Sequence, residues 1–312
     1  MSIQITQAGI LSLLQDGGRI GKHRIGLATG GPMDPQAFSW CNRLLQNEAG
    51  STAIEVSFGG LQFEVQTDTH ICVTGAPMAL TINGSDREHC CVHPVVAGDT
   101  VALGFAPTGV RTYLGVADGF TVKPSFGSAA TVIREQLGGL NGEKLIAGDQ
   151  LNCSAAQTRQ LLYLAPDKQP QYPNSITVRV IPGYQQKHFS RLQQRRFFSS
   201  SYQVSDRSDR MGYRLEGPAI SCDIDGILSE GICYGAIQIP ADGQPIALLY
   251  DRQTIGGYPK IGSALSIDAA KLAQLKPGGE VRFEAISTHT AHNALHLMHS
   301  FEQRTAISET LS

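Results

Sequence analysis

The sequence predicts a mostly-β protein with few helices, folded as two compact barrels or sandwiches. Short stretches of alternating apolar and polar residues, separated by Gly, Pro and Asn turns, dominate the 312 residues, of which 34 are glycine. Many short strands at this spacing are typical of all-β sandwiches and barrels. A chain of 312 residues also favours about two domains.

A weak internal repeat supports two related halves. The segment AIEVSFGGLQFEV at 53–65 resembles AIQIPADGQPIAL at 236–248. The segment VVAGDTVALGF at 95–105 likewise resembles LKPGGEVRFEA at 275–285. In each half a loop rich in Asp, Arg and Gly precedes the first of these segments. Both halves are therefore expected to fold in the same way.

Domain boundaries follow from this repeat and from the distribution of proline. We expect a first domain over residues 1–157 and a second over 175–288. The segment 158–174, which has three prolines between apolar patches, is the predicted linker. Residues 289–312 form a predicted C-terminal helical tail.

The clearest predicted strands alternate strictly between apolar and polar positions. They lie at 78–82, 101–105, 176–180 and 281–285. The pair Asn83-Gly84 directly follows the first of them and is the strongest short-range signal for a hairpin turn. A hairpin is therefore predicted at this point of the chain.

Helices are few in this sequence. One is predicted to begin after Asp34, a capping residue, with Pro35 at the first helical position. Its buried stripe consists of Ala37, Phe38, Cys41, Leu44 and Leu45. A second helix is predicted from about Asp268 through Leu275, before a Pro-Gly pair.

The C-terminal tail is predicted to be an amphipathic helix. Four of its residues share one face: His289, His292, His296 and His299. Apolar residues, including Leu297 and Phe301, fall on the opposite face, which is expected to dock against the protein. A solvated histidine face is the simpler interpretation, although metal binding by these histidines stays open.

Composition and charge exclude several function classes. The formal net charge is -2, which provides no basic field for nucleic acid and no polycationic face for a membrane. No run of eighteen apolar residues occurs, and the first residues lack the pattern of a signal peptide. We therefore expect a cytoplasmic protein with neither nucleic acid nor a membrane as its partner.

The cysteines do not indicate a metal site or a disulfide framework. Seven are present, an odd number, and none forms a CxxC pair. Several lie in apolar runs, so we expect small, buried, reduced side chains.

Two ten-residue segments in the second half carry the strongest signal for a binding site. They read SDRMGYRLEG at 208–217 and DRQTIGGYPK at 251–260, and are called the first and second motif segments below. Each combines charged and hydrogen-bonding side chains with glycines beside strand-like sequence. Glycine lets the backbone approach a ligand, while the polar side chains supply fixed donors and acceptors. We expect the two segments to converge around a small polar molecule.

Charged residues of these segments are the candidate catalytic groups. They are Asp209, Arg210, Asp251, Arg252 and Lys260. An arginine offers a rigid fork for carboxylate or phosphate, and a lysine offers a compact charge. An aspartate could accept a proton from a weakly acidic N–H group in a dry site. The alternative is a rim of salt bridges, Asp209 with Arg210 and Asp251 with Arg252, that only fixes the loops.

Further polar residues and glycines are candidates for substrate binding. They are Glu230, Gln238, Gln253, Thr254, Gly256, Gly257 and Tyr258. The amide of Gln253 has a donor and an acceptor in one plane, which complements an amide, lactam or ureido group. Glu230 and Gln238 stand among apolar residues, so each requires a polar partner, either a loop residue or the ligand. No metal ligand set is predicted.

The motif segments closely resemble the family of the C-type subunit of bacterial ATP-dependent 5-oxoprolinase. This family includes the allophanate-hydrolase-subunit-2-type half of the biotin-dependent urea carboxylase carboxyltransferase domain, and the Kip-type sporulation regulator. The runs that carry the resemblance are SDRMGYRLEGP, SEGI, GAIQIPADGQPIALL and DRQTIGGYPKIG in the second half, with LLQDGGRIG, GGPMD, NRLLQN and AIEVSFGG in the first. The resemblance covers about residues 5–288. It implies two cyclophilin-like β-barrel domains.

The first function implied by the resemblance is enzymatic. The chain would be the C-type subunit of a 5-oxoprolinase, an ATP-dependent lactam hydrolase active only in complex with a B-type and an A-type subunit. The complex would use ATP, with Mg, to open 5-oxo-L-proline to L-glutamate. Arg252 and Lys260 would neutralise phosphoryl charge, and Gln253 would hold the amide. No P-loop pattern occurs, so ATP would bind in another way.

Two alternatives remain open at the level of sequence. One is carboxyl transfer in a urea-carboxylase-like enzyme, where biotin would be carried by another protein, because this chain has no biotin-acceptor motif. The other is a non-catalytic Kip-type module that binds a partner protein. Both enzymatic substrates are amide-like, so the same side chains suit either reaction.

Overall fold

The computed structural model describes residues 1–155, 159–224 and 226–309. The β-strands are Ser2–Ala8 (β1), Leu11–Gln15 (β2), Ala53–Ser57 (β3), Leu61–Val65 (β4), Thr69–Gly75 (β5), Leu80–Ile82 (β6), Ser85–Arg87 (β7), Val92–Val95 (β8), Thr100–Leu103 (β9), Arg111–Val116 (β10), Gln150–Asn152 (β11), Leu162–Tyr163 (β12), Ser175–Pro182 (β13), Ser201–Val204 (β14), Gly212–Glu216 (β15), Glu230–Gly231 (β16), Ala236–Gln238 (β17), Ile246–Leu248 (β18), Ile255–Gly256 (β19), Lys260–Ala264 (β20), Glu280–Ala285 (β21) and Ser308–Glu309 (β22). The α-helices are Pro35–Leu44 (α1), Arg191–Ser199 (α2), Ser266–Leu272 (α3) and Thr288–Arg304 (α4). Short 3-10 helices lie at His23–Ile25, Ile133–Glu135, Pro166–Lys168 and Tyr184–His188.

The chain divides into two compact units. The first comprises Met1–Ile20, Gly30–Tyr172 and Ala306–Ser312, and the second comprises Gly21–Thr29 and Pro173–Thr305. Strands outnumber helices in both, so the predicted fold class, mostly β with few helices, is confirmed, with one closed barrel in the second unit and two sheets in the first.

The first unit is built from two antiparallel sheets. Their strand orders are β11-β1-β4-β9-β6-β7 and β2-β3-β10-β5-β8. Apolar residues of both sheets form one core, with Ile5, Phe63 and Leu103 from the first sheet and Ile54 and Leu114 from the second. The core therefore lies between the inner faces of the sheets, where alternate side chains of each strand meet.

Helix α1 covers the outer face of the second sheet. It begins as predicted, with Pro35 after the cap Asp34, whose Oδ1 accepts a hydrogen bond from the amide of Ala37 at 3.1 Å. Its buried Cys41 and Leu44 pack in one cluster with apolar residues of the sheet. All residues of β3 and β10 are buried as a result, because both faces of these strands are covered.

The predicted hairpin of the first unit is confirmed. Strands β6 and β7 pair across Asn83 and Gly84, whose φ angles are 52° and 74°. Two consecutive positive φ values are the requirement of the tight turn that Asn-Gly favours. The predicted strand at 101–105 is also present as β9, although it ends at Leu103.

The second unit contains a closed seven-stranded barrel. Its strand order is β13-β20-β17-β18-β15-β14-β21, and β13 closes the barrel by parallel pairing with β21. These two closing strands contain the predicted strands at 176–180 and 281–285. Closure leaves no barrel strand with an unpaired edge. Strands β16 and β19 form a separate ribbon of two residues per strand.

Two helices differ from expectation. Helix α3 is Ser266–Leu272, so it begins and ends earlier than predicted. Leu275 instead continues in a tighter turn, with its amide bonded to the carbonyl of Leu272 at 3.0 Å. Helix α2 is absent from the predicted elements, because its sole buried residue is Phe197, which stacks on Phe283 at 4.4 Å. One buried position does not produce a helical period that a sequence pattern can reveal.

The C-terminal helix is present as α4, and its predicted apolar face is covered only in part. Ala291 is buried and Ala294 and Met298 are half-buried, whereas Leu297 is 72% exposed and Phe301 is 45% exposed. Across the described ranges, no helix has both the length and the apolar character needed to cross a membrane.

Contacts within each unit bring together segments that are distant in sequence. Strand β12, inside the predicted linker, pairs with β22 in the first unit. Residues Gly21–Thr29 group with the second unit. Residues 156–158, where the first domain was predicted to meet the linker, lie outside the described residues. The domain boundaries at 157, 174 and 288 therefore stay predictions.

Candidate functional site

The two motif segments meet in the barrel through a buried ion pair. Arg210 donates from Nε to Oδ2 of Asp251 at 2.8 Å and from Nη2 to Oδ1 at 3.0 Å. Both side chains are under 9% exposed, and the amide of Asp251 also donates to the carbonyl of Arg210 at 3.0 Å. Strand β15 lies within the first segment, strand β18 precedes the second, and the two strands are neighbours in the barrel. The two segments therefore meet, but no residue of the first segment lines the cavity described below, so their convergence around a small molecule stays a prediction.

Arg252 faces away from Asp251. Its Nε donates to the carbonyl of Ile232 at 3.2 Å and its Nη1 to the carbonyl of Leu249 at 3.1 Å. It forms no ion pair with any described residue, so the alternative of an Asp251–Arg252 salt bridge is wrong. Burial lowers the pKa of Arg252 from its usual value, but an arginine stays protonated at neutral pH. A buried cation held by two carbonyls fixes the segment around Ile232.

Lys260 and Glu230 belong to a four-residue cluster, called the lysine cluster below. The Nζ of Lys260 and the hydroxyl of Tyr184 each donate to the Glu230 carboxylate. Gln185 donates from Nε2 to Oε1 of Glu230 at 3.0 Å and accepts at Oε1 from the amide of Lys260 at 2.8 Å. Gln185, 4% exposed, therefore ties the backbone of the lysine to the carboxylate that the lysine binds.

The cluster shifts the pKa values of its members in a consistent direction. Hydrogen bonds from Lys260 and Tyr184 lower the pKa of Glu230 below its usual range. The hydrogen bond to Glu230 raises the pKa of Tyr184. At neutral pH the glutamate is therefore ionised and the tyrosine is a neutral donor.

The lysine cluster lines a cavity of about 310 Å³. The lining residues are Gly183, Tyr184, Gln185, Glu230, Gly231, Cys233, Lys260, Gly262 and Ser263. Tyr184 and Cys233 are exposed, so the cavity opens at the surface of the second unit. A volume near the lower end of the roughly 300–1,000 Å³ typical of ligand pockets suits a small molecule.

Gln238 lies behind the ribbon that carries Glu230. It is 1% exposed, and its Nε2 has no hydrogen-bond partner among the described residues. A Cβ atom on Gly256 would lie 2.9 Å from this Nε2 and 2.4 Å from Cδ1 of Ile232. Gly256 therefore allows the ribbon to lie directly over the glutamine amide.

Other predicted site residues do not line the cavity. Asp209 is exposed and caps its own turn, accepting from the amides of Met211 at 2.8 Å and Gly212 at 3.2 Å. The carbonyl of Thr254 accepts from the amide of Ile232 at 3.1 Å, and that of Gly257 from Ile227 at 2.8 Å. Gln253 is half-buried and Tyr258 is 47% exposed. Of the twelve predicted site residues, the cavity is lined by Lys260 and Glu230.

The residues that complete the cavity are not among those predicted from the sequence. Tyr184 and Gln185 stand on a 3-10 helix directly after β13, where no element was predicted from the sequence. The pattern GYQQ after a strand was the available signal, because two adjacent polar amides and a tyrosine are unusual in a simple turn.

The cysteines only partly match expectation. All seven are free thiols, and Cys41, Cys72, Cys90 and Cys153 are buried, as predicted. Cys91 and Cys222 are half-buried, and Cys233 is exposed, lines the cavity and has its Sγ 3.3 Å from Oγ of Ser263.

The histidines of α4 pair with one another and with amide side chains. Nε2 of His292 lies 2.9 Å from Nε2 of His296, and His299 bonds to Gln303. Within the residues that the structure describes, no three His, Cys, Asp or Glu side chains are grouped to hold a metal ion.

The barrel, the cavity and the motif segments place the chain in a class of proteins. A family model described as "Carboxyltransferase domain, subdomain A and B" matches residues 25–285, and the chain belongs to this family. The resemblance inferred from the sequence is thereby confirmed.

Particular relatives are similar over nearly the whole chain. It is 35% identical over 293 residues to the C-type subunit of 5-oxoprolinase from Escherichia coli, with 94% of both proteins covered. The protein of the same name from Haemophilus influenzae is 34% identical over 291 residues, with 93% of both covered. Among solved structures, urea carboxylase from Kluyveromyces lactis has a TM-score of 0.91 at 25% identity. That match covers 100% of this chain and 30% of the urea carboxylase chain.

Proposed function

We propose that the chain is the C-type subunit of an ATP-dependent 5-oxoprolinase complex, which opens 5-oxo-L-proline to L-glutamate. The observation that carries the proposal is the 35% identity with the C-type subunit of the Escherichia coli 5-oxoprolinase, because it extends over 94% of both proteins. The chain would work with an A-type and a B-type subunit, since the name of that relative implies further subunits. It would act as part of an enzyme rather than alone.

The cavity has the chemistry that such a substrate requires. 5-Oxoproline is a small lactam with one carboxylate, and a cavity of about 310 Å³ that contains a lysine, a tyrosine and a glutamine suits it. Lys260 is 11% exposed and would stabilise negative charge in a site with little water. Arg252 would act behind the cavity wall, by fixing Ile232 between the lining residues Gly231 and Cys233.

The same cavity does not fit a nucleotide. Lys260 is the one cation among its nine lining residues, and its volume of about 310 Å³ leaves little room for a nucleoside triphosphate. We therefore assign no contact with ATP or Mg to these residues, and the expected role of Arg252 and Lys260 in neutralising phosphoryl charge stays a prediction. The nucleotide would bind elsewhere in the complex.

Reconstitution tests this proposal. The chain is co-purified with the A-type and B-type subunits of its source, and 5-oxoproline-dependent release of ADP and glutamate is measured. We expect Lys260→Met to reduce turnover at least about 100-fold, the usual effect of removing one stabilising group. Lys271→Met is the matched control, because Lys271 is 54% exposed on α3 and does not line the cavity. Absence of turnover in the wild-type complex would refute the proposal.

Biotin-dependent carboxyl transfer is the second candidate. The family description and the overlay on urea carboxylase favour it. In that case biotin would arrive on another protein, and an amide-like acceptor would take the carboxyl group in the cavity. Addition of a carboxylated biotin carrier with urea distinguishes the two, because only a carboxyltransferase would consume the carboxybiotin. If neither assay gives turnover and the chain binds a partner protein stoichiometrically, the Kip-type interpretation gains support.

A further inference from the structure

The lysine cluster contains a set of donors that converge on one carboxylate. Lys260 contributes an ammonium group, Tyr184 a hydroxyl and Gln185 an amide, and all three donate to Glu230. A carboxylate has two oxygens that accept several hydrogen bonds, and a charged donor strengthens the interaction. This donor set is therefore complementary to a carboxylate.

The donors are held in place independently of Glu230. The amide of Lys260 donates to Oε1 of Gln185 at 2.8 Å, and Nε2 of Gln185 also lies 3.1 Å from the Tyr184 hydroxyl. Lys260 belongs to barrel strand β20, and the 3-10 helix with Tyr184 and Gln185 directly follows barrel strand β13. A preorganised site of this kind loses little conformational entropy when a ligand binds.

Glu230, which accepts these hydrogen bonds, lies on a different kind of element from the donors. Glu230 lies on β16, which pairs with β19 over two residues outside the barrel, and its side chain is 33% exposed. Arg252 and the amide of Ile232 hold the ribbon in place, but a side chain that is one-third exposed can rotate into water without moving its backbone. The carboxylate can therefore be replaced more easily than the donors can be moved.

From this contrast we propose that Lys260, Tyr184 and Gln185 form a carboxylate-binding subsite, which Glu230 fills until the carboxylate of a small acid displaces it. The proposal rests on the proposed function in one respect, since it identifies the bound group as the carboxylate of the substrate. A single lysine with two neutral donors matches one negative charge, as in a monocarboxylic acid, better than the multiple charges of a phosphate. Displacement of Glu230 would also bring substrate carboxylate and Lys260 together while the lactam ring occupies the rest of the cavity.

Binding measurements on the full-length chain alone test the subsite. Acetate is titrated into the wild type and into Glu230→Ala by calorimetry, with 5-oxoproline and 2-pyrrolidinone as further probes. We expect Glu230→Ala to bind acetate and 5-oxoproline at least tenfold more tightly than the wild type, because the internal competitor is removed. Affinity for 2-pyrrolidinone, which has the ring but no carboxylate, should not change.

Matched variants separate the subsite from a general effect of charge. Glu284→Ala removes the same charge from an exposed position on barrel strand β21 and should leave acetate affinity unchanged. Adding Tyr184→Phe or Gln185→Leu to Glu230→Ala should reverse most of the gain. Glu230→Gln keeps the shape of the side chain and should give a smaller gain, which guards against misfolding of the alanine variant.

The outcomes are distinct from those of the reconstitution assay. Equal acetate affinity in Glu230→Ala and Glu284→Ala, or a gain that extends to 2-pyrrolidinone, would overturn the subsite even if the complex forms glutamate. A carboxylate-specific gain without any 5-oxoproline turnover would leave the subsite standing and remove the proposed function.

Discussion

Each unit of the molecule holds a glutamate between a tyrosine hydroxyl and a cation, and the two clusters differ in their access to solvent. In the first unit Glu55 accepts from the hydroxyl of Tyr113 at 2.7 Å and lies 3.8 Å from Nε of Arg111. Glu55 and Tyr113 are 0% exposed. In the second unit Glu230, Tyr184 and Lys260 form the corresponding set at the wall of a cavity. One residue combination therefore serves a sealed core in one unit and an open site in the other.

The two tyrosines show what burial changes. The pKa of Tyr113 is raised well above its usual value chiefly because burial penalises the charged phenolate. The pKa of Tyr184 is raised chiefly by its hydrogen bond to Glu230. In the sealed cluster the surroundings fix the protonation states, whereas in the open cluster they depend on which partner is present. Only the second arrangement can exchange its carboxylate for that of a ligand.

A second contrast between the two units lies at equivalent positions of the internal repeat. Glu55 in AIEVS and Gln238 in AIQIP occupy equivalent positions of the repeated segment. Oε2 of Glu55 accepts from the amide of Met33 at 2.8 Å as well as from Tyr113, and Oε1 lies 3.8 Å from Nε of Arg111. The Nε2 of Gln238 has none among the described residues. Equivalent positions in the repeat thus carry a satisfied group in one half and an unsatisfied one in the other.

The largest expected difference in the free energy of unfolding is between the variants that remove Glu55 and Glu230. Glu55→Ala removes the carboxylate that forms an ion pair with buried Arg111 and accepts from the buried Tyr113 hydroxyl, and we expect a loss of about 3–5 kcal/mol in the free energy of unfolding. Trp40, 1% exposed in the first unit, is the one tryptophan, so its fluorescence during urea unfolding reports this unit. Glu230→Ala should cost less, about 1–2 kcal/mol by circular dichroism, because Glu230 is 33% exposed although its partner Lys260 is 11% exposed.

The control for this comparison is Glu64→Ala, which removes an exposed glutamate from β4 and should change stability by less than about 0.5 kcal/mol. A similar loss for Glu55→Ala and Glu230→Ala would contradict the distinction between a sealed and an open cluster.

The two buried glutamines of the barrel unit should respond in opposite directions. Gln238 and Gln185 are 1% and 4% exposed, but Gln185 makes three hydrogen bonds through its side chain. Gln238→Met removes an unsatisfied buried donor, and we expect stability to rise by about 1 kcal/mol. Gln185→Met should lower stability by about 2 kcal/mol, since it breaks satisfied bonds. Urea denaturation measures both, and destabilisation of the same size in the two variants would show that Gln238 has a partner after all.

The pH dependence of the stability that Glu230 contributes should be the smallest of these effects. Because the folded-state pKa of Glu230 lies below its ordinary value of 4.5, ionised Glu230 stabilises the fold above that pH. This contribution is lost as the pH falls from 4.5 through the lower folded-state pKa. The difference in melting temperature between the wild type and Glu230→Gln should therefore be constant at neutral pH and shrink in acid. A difference that grows as the pH falls would mean that Lys260 is not the partner of Glu230.

The sequence predicted those parts of the fold that depend on local pattern. The alternation in β13 and β21, the Asn83-Gly84 turn and the Asp34 cap are each decided by the residues themselves. Helix α2 was missed because its burial depends on the ring of Phe283, which is distant in sequence. The docking of α4 was predicted only in part, because periodicity indicates an apolar face but not how much of that face is covered.

In the candidate site, too, local pattern was predictable from the sequence and contacts between distant segments were not. The residue types of the motif segments predicted a polar site, and their convergence through Arg210 and Asp251 follows from the neighbouring strands β15 and β18. The pairing of Lys260 with Glu230, Tyr184 and Gln185 was not predictable, because these four residues come from three separate segments.

By itself, the amino-acid sequence determined the strand periodicity, the turns and caps, the family and the residues available for chemistry, since these depend on neighbours along the chain. The tertiary structure decided which glutamate is sealed and which is open, which arginine has a carboxylate and which glutamine has no partner among the described residues. The physical reason is that barrel closure and sheet packing set the distance and the access to water of groups far apart in sequence. Those two quantities control the strength of every polar interaction in the site.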